Sequence, residues 1–475
     1  MSNKTQLSAR ERITSLLDDS SFVEMGALVT ARSTDFNMQD KETPADGVIT
    51  GTGSIDGNLV YVYSQDAKVL GGAIGEMHAK KISRVYDMAM KVGAPVIGLV
   101  DCAGLRLQEA TDALEAFGDI YLKQTMASGV IPQITALFGT CGGGAAVIPA
   151  LSDFVFMTSE DAKLFVNSPN ALDGNYEAKL DTASAKYQSE EAGLVDVVCD
   201  GDLEVLTQIR SLVSMLPACN EIDTRFSECT DDLNRVIPNL DGLNKDARAV
   251  LQNIADNNMF FEIKRDYAKD MVLGFVKLAG ATVGCVANQV DAGGDKLSAR
   301  GAESAAKFVT FCDAFNIPLL TLTSVTGYKA TVCAERKMAA SVAKLTYAFA
   351  NATVPKVNLL IGEAYGSAYT AMNSKSLGAD MEYAWPCAKL GMMDAQMAVK
   401  IIYADEIEKA ENKQALIAEK KKEYAALQAD VKSAAARGYV DDIIEPDATR
   451  KRLIAVFEML YTKTDDRPYK KHGAV

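Results

Sequence analysis

The sequence repeats itself at one fixed shift, the 223 residues that separate Gly139 from Gly362, and no gap is needed over roughly a hundred positions. The coincident glycines and prolines are Gly51 with Gly274, Gly57 with Gly280, Gly104 with Gly327, Pro132 with Pro355, Gly139 with Gly362 and Gly143 with Gly366. A period of this length is a whole domain rather than a solenoid unit. The chain therefore contains two related halves, which we place at residues 1–222 and 223–475.

Each half has the pattern of an α/β domain. A hairpin predicted at 51–65, turning at Gly57, recurs at 274–288, where it turns at Gly280. Largely apolar strands that alternate with helices indicate a parallel sheet covered on both faces. The elements predicted after the hairpin are a helix at about 77–91 and 300–315, a buried strand at 95–101 and 318–324, and a second buried strand at 133–138 and 356–361.

Three segments lie outside this pattern. Ser8 and Glu11 form a capping box that predicts an opening helix. Residues 203–262 have no repeat counterpart and are interpreted as the passage between domains. Residues 405–437, rich in Ala, Glu, Lys and Gln, predict one or two solvated helices.

Composition excludes several classes of protein. A net charge of −14 argues against nucleic acid as a partner. The nine cysteines include no CxxC pair, so we expect reduced thiols and no metal site. The longest apolar stretches, 92–100 and 142–151, are too short to span a membrane, and the N-terminus lacks the apolar core of a signal peptide. We expect a soluble cytoplasmic protein.

The second buried strand of each half runs into a turn of small residues. The first turn, within 137–146, contains three consecutive glycines, Gly142, Gly143 and Gly144. The other half has small residues in the same register at 362–369. Backbone N–H groups at the start of a helix bind negative charge, and glycine lets a ligand oxygen approach them. One such turn is also compatible with close packing, but two at equivalent places favour function.

Several familiar chemistries lack their motifs. No GxxxxGK[ST] is present, and residues 51–57 miss the dinucleotide spacing. The chain has two histidines and no GxSxG motif, so a hydrolytic triad is unsupported. His78 is interpreted as a packing or capping residue. Two anion-binding turns with few acid-base residues suit a reaction in which enolate charge must be stabilised.

The sequence resembles the carboxyltransferase subunits of biotin-dependent acyl-CoA carboxylases and decarboxylases, of the propionyl-CoA carboxylase β and methylmalonyl-CoA decarboxylase α type, over nearly its whole length. The segments that carry the resemblance are LSARERI (7–13), DGVITG (46–51), GGAIGE (71–76), SGVIPQ (128–133), PALSDF (149–154), FCDAFNIP (311–318), YAFA (347–350), AYGSAY (364–369), YAWP (383–386), RGYVDDII (437–444) and RPYKKH (467–472).

This resemblance implies two tandem crotonase-like domains of the ClpP/crotonase superfamily. It also implies a homo-oligomer, typically a trimer-based hexamer, in which the N-terminal domain binds acyl-CoA and the C-terminal domain of a neighbouring subunit receives biotin. By the same resemblance, Gly143 and Gly144 stabilise the thioester enolate, while Gly366, Ser367 and Ala368 hold the biotin ureido oxygen.

The remaining site residues are also implied by the resemblance. Those expected beside the acyl-CoA are Gly71, Gly72, Gly104, Arg106, Gly142 and Ala145. Those expected beside biotin are Gly327, Tyr328, Tyr365 and Tyr369. A coenzyme A thioester is the implied substrate, and the reaction moves a carboxylate between biotin N1 and the acyl α-carbon.

The chain contains no Met-Lys-Met carrier motif and no ATP-binding segment. The resemblance therefore implies that biotin arrives on a separate biotin carboxyl carrier protein. It also implies a further partner, which is either a biotin carboxylase or a membrane decarboxylase β subunit.

Some positions depart from the family pattern, namely residues 101–106, residues 326–328 and Ser367, so the acyl group is not carried over. A glutaconyl- or malonyl-type decarboxylase subunit and a non-catalytic scaffold stay open as alternatives. A biotin-independent CoA hydratase or isomerase would need carboxylates near the first turn, and the nearest by sequence are Asp153 and Glu363. Lysines that could meet CoA phosphates, or lie solvated on the surface, are Lys68, Lys80 and Lys81.

Overall fold

The computed structural model describes residues 6–221, 227–468 and 472–473. It divides into two compact units, Met1–Asp223 and Thr224–Val475. The boundary predicted between positions 222 and 223 lies outside the described residues, as do the first five residues and positions 469–471 of the last motif. Within the described ranges, no helix is both long and apolar enough to cross a membrane.

The first unit is built on one mixed sheet. Its strand order is β1-β2-β3-β4-β5-β6-β8, with β7 paired to the end of β5. The two pairings that involve β2 are antiparallel, and the others are parallel. The strands are β1 (Val23–Met25), β2 (Val48–Ile55), β3 (Asn58–Gln65), β4 (Val96–Cys102), β5 (Gln133–Gly142), β6 (Phe154–Thr158), β7 (Lys163–Phe165) and β8 (Val197–Cys199).

Helices cover this sheet and enclose its core. Ile82 and Val85 of the long second helix pack with Val100 and Leu137 of the central strands. The capping box of Ser8 is present at the first helix, as predicted. The α-helices are α1 (Ala9–Leu16), α2 (Glu76–Val92), α3 (Ala110–Ala127), α4 (Val147–Leu151), α5 (Asn175–Ala178), α6 (Ala185–Glu190) and α7 (Asp202–Val213).

The second unit repeats the same sheet. Its order is β18-β16-β15-β13-β11-β10-β9, with β17 paired to the end of β15, and β12 and β14 form a separate parallel pair. The strands are β9 (Phe260–Ile263), β10 (Met271–Leu278), β11 (Ala281–Asn288), β12 (Lys296–Leu297), β13 (Leu319–Val325), β14 (Gly327–Tyr328), β15 (Lys356–Tyr365), β16 (Met381–Ala384), β17 (Lys389–Gly391) and β18 (Asp442–Ile443).

Apolar residues from helices at both ends of this unit meet in its core. Val250 and Leu251 pack with Leu320, Trp385 and Leu453. The α-helices are α8 (Ala247–Ile254), α9 (Val290–Gly293), α10 (Ala299–Ala314), α11 (Val332–Asn351), α12 (Gly366–Ala371), α13 (Ala395–Ile402), α14 (Ala404–Lys409), α15 (Lys413–Tyr424), α16 (Val431–Ala436) and α17 (Thr449–Met459).

The interpretation of residues 203–262 as a passage without a repeat counterpart is wrong. Residues 247–263 form α8 and β9, which occupy the places of α1 and β1. In β1, Glu24 pairs with Gly51 and is bound by Arg10, and in β9, Glu262 pairs with Gly274 and is bound by Arg248. This part of the repeat has a shift of 238, because the first unit has 15 more residues between its first two strands.

A carboxylate closes the hairpin of the first unit. Asp18 accepts hydrogen bonds from the backbone N–H groups of Asp56 (3.0 Å) and Gly57 (2.9 Å). Arg210 binds the same carboxylate (2.9 Å) and donates to the Leu16 carbonyl at the end of α1 (2.8 Å). The hydrogen bond from Gly57 is the main reason that the pKa of Asp18 is held well below its usual value.

The second unit has the same arrangement with different burial. Asp256 accepts from the N–H groups of Ala279 (3.1 Å) and Gly280 (2.7 Å). Arg450 binds Asp256 (2.6 Å) and the Ile254 carbonyl at the end of α8 (2.7 Å). The Arg450 side chain is 0% exposed, whereas that of Arg210 is 27% exposed.

Several predicted boundaries need correction. Both hairpins begin three residues before their predicted starts, at Val48 and Met271. The strands β5 and β15 run four residues beyond their predicted ends, because their glycines stay in the sheet. A Cβ on Gly139 would lie 2.1 Å from Asp101 Oδ1, and one on Gly362 would lie 2.4 Å from Ser324 Oγ. The segment 405–437 is mostly exposed, but Val431 and Ala434 are buried, and it is broken into α14, α15, a π-helical turn (Ala425–Ala429) and α16.

We expect Arg450→Met to destabilise the chain more than Arg210→Met, although the two arginines make equivalent hydrogen bonds. Removing Arg450 leaves a buried carboxylate without its cation, which costs about 3–5 kcal/mol. The partly exposed Arg210 pair contributes about 1 kcal/mol or less. Urea unfolding measures both variants against the unchanged chain, and equal losses would contradict the expected order.

Candidate active site

The first small-residue turn begins where β5 ends. Residues Gly143–Ala146 form a 3₁₀ turn that leads into α4. Gly143 has a φ of +63°, a conformation that side chains disfavour. Gly144 is exposed, whereas Ala145 is buried. The first N–H groups of a helical turn lack partners within it, so the backbone of the half-buried Gly143 and the exposed Gly144 can present donors to a ligand.

A tyrosine from α3 supports this turn. The Tyr121 hydroxyl donates to the Gly144 carbonyl at 2.6 Å, and burial raises the pKa of Tyr121. A Cβ on Gly144 would lie 3.1 Å from that hydroxyl oxygen and 3.7 Å from the ring of Phe117. The aromatic pair therefore forms a wall against which only a small residue fits at position 144.

Four of the glycines predicted beside acyl-CoA lie together at the carboxyl ends of β4 and β5. The Gly71 carbonyl accepts from the Ala103 N–H at 3.0 Å. A Cβ on Gly72 would lie 2.1 Å from a carbonyl oxygen of β4, and one on Gly104 would lie 3.1 Å from the Gly142 carbonyl. These glycines allow three backbone segments to approach one another beside the turn.

Arg106, which the resemblance implied beside the acyl-CoA, lies in the interior of the first unit. Its side chain is buried, and Nη1 contacts carboxylate oxygens of Asp46 (2.6 Å) and Glu109 (2.8 Å). Nη2 donates to the Ala73 carbonyl at 2.8 Å. Burial raises the pKa of Asp46 despite the attraction of Arg106. The guanidinium thus holds the loop that carries the substrate-side glycines.

The two carboxylates around Arg106 also cap α2. Glu109 accepts from the Glu76 N–H at 2.6 Å, and Asp46 accepts from the His78 N–H at 2.7 Å. The N-cap residue Gly75 has no side chain with which to do this. The start of α2 is therefore held by residues that come from two other segments of the unit.

His78 is a packing residue, as interpreted, and its burial is complete. Nδ1 lies 2.9 Å from the Asp46 carbonyl, and Nε2 lies 3.1 Å from Gln65 Nε2. Burial lowers the pKa of His78 to about 3, so the ring is neutral near pH 7. His78 is not placed to exchange protons with a ligand.

Lys81 was expected either to meet a CoA phosphate or to lie solvated on the surface, and the structure shows neither. Its ammonium is buried and donates to the carbonyls of Ala45 (2.8 Å) and Val48. Burial lowers the pKa of Lys81 to about 8. Lys68 and Lys80 are exposed.

The second turn repeats the geometry of the first. The strand β15 ends at Tyr365, and Gly366 has the same φ of +63° as its counterpart Gly143. Ser367 is exposed and Ala368 is buried, as are their counterparts in the first unit. A Cβ on Gly366 would lie 3.1 Å from the Met392 carbonyl.

The other residues predicted beside biotin lie in different surroundings. Gly327 and Tyr328 form β14, which contacts α12. The Tyr365 hydroxyl lies 3.5 Å from Glu363 Oε1. The Tyr369 hydroxyl donates to the buried carboxylate of Glu382 at 2.6 Å, so it faces the interior of the unit.

Sequence reasoning missed Tyr121 and Glu382. Nothing in the helical pattern of α3 distinguishes Tyr121 from its neighbours. Glu382 did leave a signal, because an acidic residue between Met381 and Tyr383 is unusual in a buried strand.

Asp153, one of the two carboxylates considered for a hydratase, does not lie at the first turn. Asp153 accepts from the Gln133 N–H at 2.8 Å, at the opposite end of β5 from Gly143. Glu363 belongs to the second unit, where it pairs with Lys389 at 2.9 Å. Within the first unit, the geometry therefore does not give a hydratase Asp153 as an acid-base residue at the turn.

Comparison with known proteins identifies the family of the chain. Residues 2–475 match the model of the carboxyl transferase domain. The chain is 41% identical to methylmalonyl-CoA decarboxylase subunit alpha of Propionigenium modestum, over 99% of this chain and 93% of that protein. It is 40% identical to the human mitochondrial propionyl-CoA carboxylase beta chain, over 99% of this chain and 88% of that protein.

A solved structure gives the same result. The structure of this chain superposes with a TM-score of 0.93 on the crystal structure of transcarboxylase 12S. That protein is a hexamer, with methylmalonyl-coenzyme A and methylmalonic acid bound. That match has 37% identity and covers 99% of this chain and 92% of the other. The chain thus belongs to the carboxyl transferase family.

Proposed function

We propose that the protein transfers a carboxylate between biotin on a carrier protein and the α-carbon of a short acyl-CoA of the propionyl or methylmalonyl class. The observation that carries this proposal is the pair of equivalent turns, at Gly143 and Gly366, in a member of the carboxyl transferase family. Each turn presents backbone donors, and the reaction has two carbonyl groups whose oxygens need them.

In the first unit, the N–H groups of Gly143 and Gly144 donate to the thioester oxygen of the acyl-CoA. Loss or gain of the carboxylate at the α-carbon places negative charge on that oxygen. Fixed donors stabilise this charge by about 3–4 kcal/mol each. The glycines at 71, 72, 104 and 142 let the segments beside the turn pack closely around it, and Ala145 is buried beneath it.

In the second unit, the turn at Gly366, Ser367 and Ala368 fits a ureido oxygen. Its exposed backbone at Ser367 presents donors, and Gly366 leaves open the space that a Cβ would fill. Biotin supplies the N1 atom that carries the carboxylate. Gly327 and Tyr328, which contact the helix of this turn, form one side of the biotin site.

The proposed reaction does not use a side chain of the first unit as its base. His78 is buried and neutral, and Asp153 lies at the other end of β5. The contribution of the protein is therefore the placement of both carbonyl groups and the stabilisation of developing charge. This accounts for the small number of acid-base residues at the two turns.

We also propose an oligomeric assembly and partner proteins for this chain. The relative transcarboxylase 12S is a hexamer, which supports a hexamer for this chain. The partners that we propose are a biotin carboxyl carrier protein and either a biotin carboxylase or a membrane decarboxylase β subunit. The cytoplasmic location stays a prediction.

We expect the purified chain to convert methylmalonyl-CoA into propionyl-CoA when free biotin is present and to lose this activity without biotin. Chromatography of the acyl-CoA products measures the conversion. Biotin-independent hydration or isomerisation would contradict the proposal, as would lack of turnover of methylmalonyl-, malonyl- and glutaconyl-CoA.

We expect Gly144→Val to lower kcat by about 100-fold or more, because its side chain meets Tyr121 and displaces the backbone donors. Gly118→Ala is the matched control. Gly118 is an exposed glycine of α3 with open space at its Cβ position, so this change leaves kcat unchanged. Similar kcat values for the two variants would exclude the first turn as the oxyanion site.

A further inference from the structure

Glu382 is a buried carboxylate that the proposed reaction does not use. It lies on β16 with 0% of its surface exposed. Oε1 accepts from the Tyr369 hydroxyl and Oε2 accepts from the Lys375 N–H, both at 2.6 Å. We propose that Glu382 is a positioning residue that holds the biotin-side turn in place, an inference that rests on the proposed function of that turn.

The two donors lie on either side of the end of α12. Tyr369 is in this helix, three residues after Gly366, and Lys375 begins the next 3₁₀ turn. A helix of six residues is too short to be stable by itself. One carboxylate of the sheet therefore fixes both the helix and the segment that leaves it, and with them the backbone of Ser367.

Glu382 can keep its hydrogen bonds to Tyr369 and Lys375 whether it is ionised or neutral. Its own N–H donates to Asp441 Oδ2 at 2.8 Å, and the Lys375 ammonium pairs with Asp441. Burial raises the pKa of Glu382 to about 7. The carboxylate accepts both hydrogen bonds, whereas the neutral acid donates to the Tyr369 oxygen and still accepts from Lys375. A glutamine satisfies the same two partners.

This support is particular to the second unit. The residue 223 positions before Tyr369 is Ala146, which has no hydroxyl. The first turn is instead supported from α3, by the hydrogen bond from Tyr121 to Gly144. Loss of the Glu382 contacts should therefore affect biotin and not the acyl-CoA.

Three variants test the proposal in the biotin-dependent decarboxylation of methylmalonyl-CoA. Glu382→Ala removes both contacts, and we expect it to raise KM for free biotin about tenfold. Tyr369→Phe removes one contact and raises the same KM about threefold. Glu382→Gln keeps both and stays within about twofold of the unchanged chain. Calorimetry should show the same Kd for propionyl-CoA in all three.

Asp380→Ala is the matched control for lost stability. Asp380 accepts from the Lys356 N–H and the Lys463 ammonium, both at 2.8 Å, just before β16. We expect this variant to lower the thermal midpoint without changing KM for biotin. If Glu382→Ala fails to fold, Tyr369→Phe provides the test, because it deletes only a hydroxyl.

The outcomes separate the two proposals. An unchanged chain that needs no biotin, or is inactive, would refute the proposed function. An active chain whose KM for biotin is unaltered in Glu382→Ala and Tyr369→Phe would overturn the role of Glu382. A Glu382→Gln variant as defective as Glu382→Ala would also overturn it, because the hydrogen bonds would then not be the cause.

Discussion

The central constraint on this structure is the left-handed backbone that directly follows β5 in the first unit and β15 in the second. Gly143 and Gly366 both have a φ of +63°, which turns the chain sharply from the sheet into a helical turn. The neighbouring loops and helices take their places around these two positions. In the first unit, Gly104 lies close to the Gly142 carbonyl, and in the second, Gly366 lies close to the Met392 carbonyl and β14 contacts α12. The two sites therefore have one backbone design and different surroundings.

Much of this design could be predicted, because it depends on local rules and on the repeat. Both hairpins turn where expected, at Gly57 and Gly280, and the long helices lie within a residue or two of their predicted bounds. The copy of α1 and β1 was missed because the chain between β1 and β2 is longer in the first unit, which changes the shift of the repeat. Alignment at one shift cannot find elements on the far side of such an insertion.

The surroundings of the turns could not be predicted in the same way. Arg106 meets Asp46 across 60 positions of sequence, and its acidic partners cap a helix that has its own glycine N-cap. Such contacts exist only after the sheet has formed, so spacing does not reveal them. These supporting contacts differ between the two units. The residue 223 positions after Arg106 is the exposed Lys329, while the tyrosine and glutamate pair that supports α12 has no counterpart at Ala146.

The paired clamps of Asp18 with Arg210 and Asp256 with Arg450 bear on the history of the chain. Each clamp joins the first helix of its unit to a helix near the end of the same unit. An ancestral single domain would already have been closed on itself by this contact, without help from a second copy. Because each unit has its own closing contact, the duplication that the repeat indicates joined two such domains end to end, and each turn could diverge without changing the clamp of the other unit.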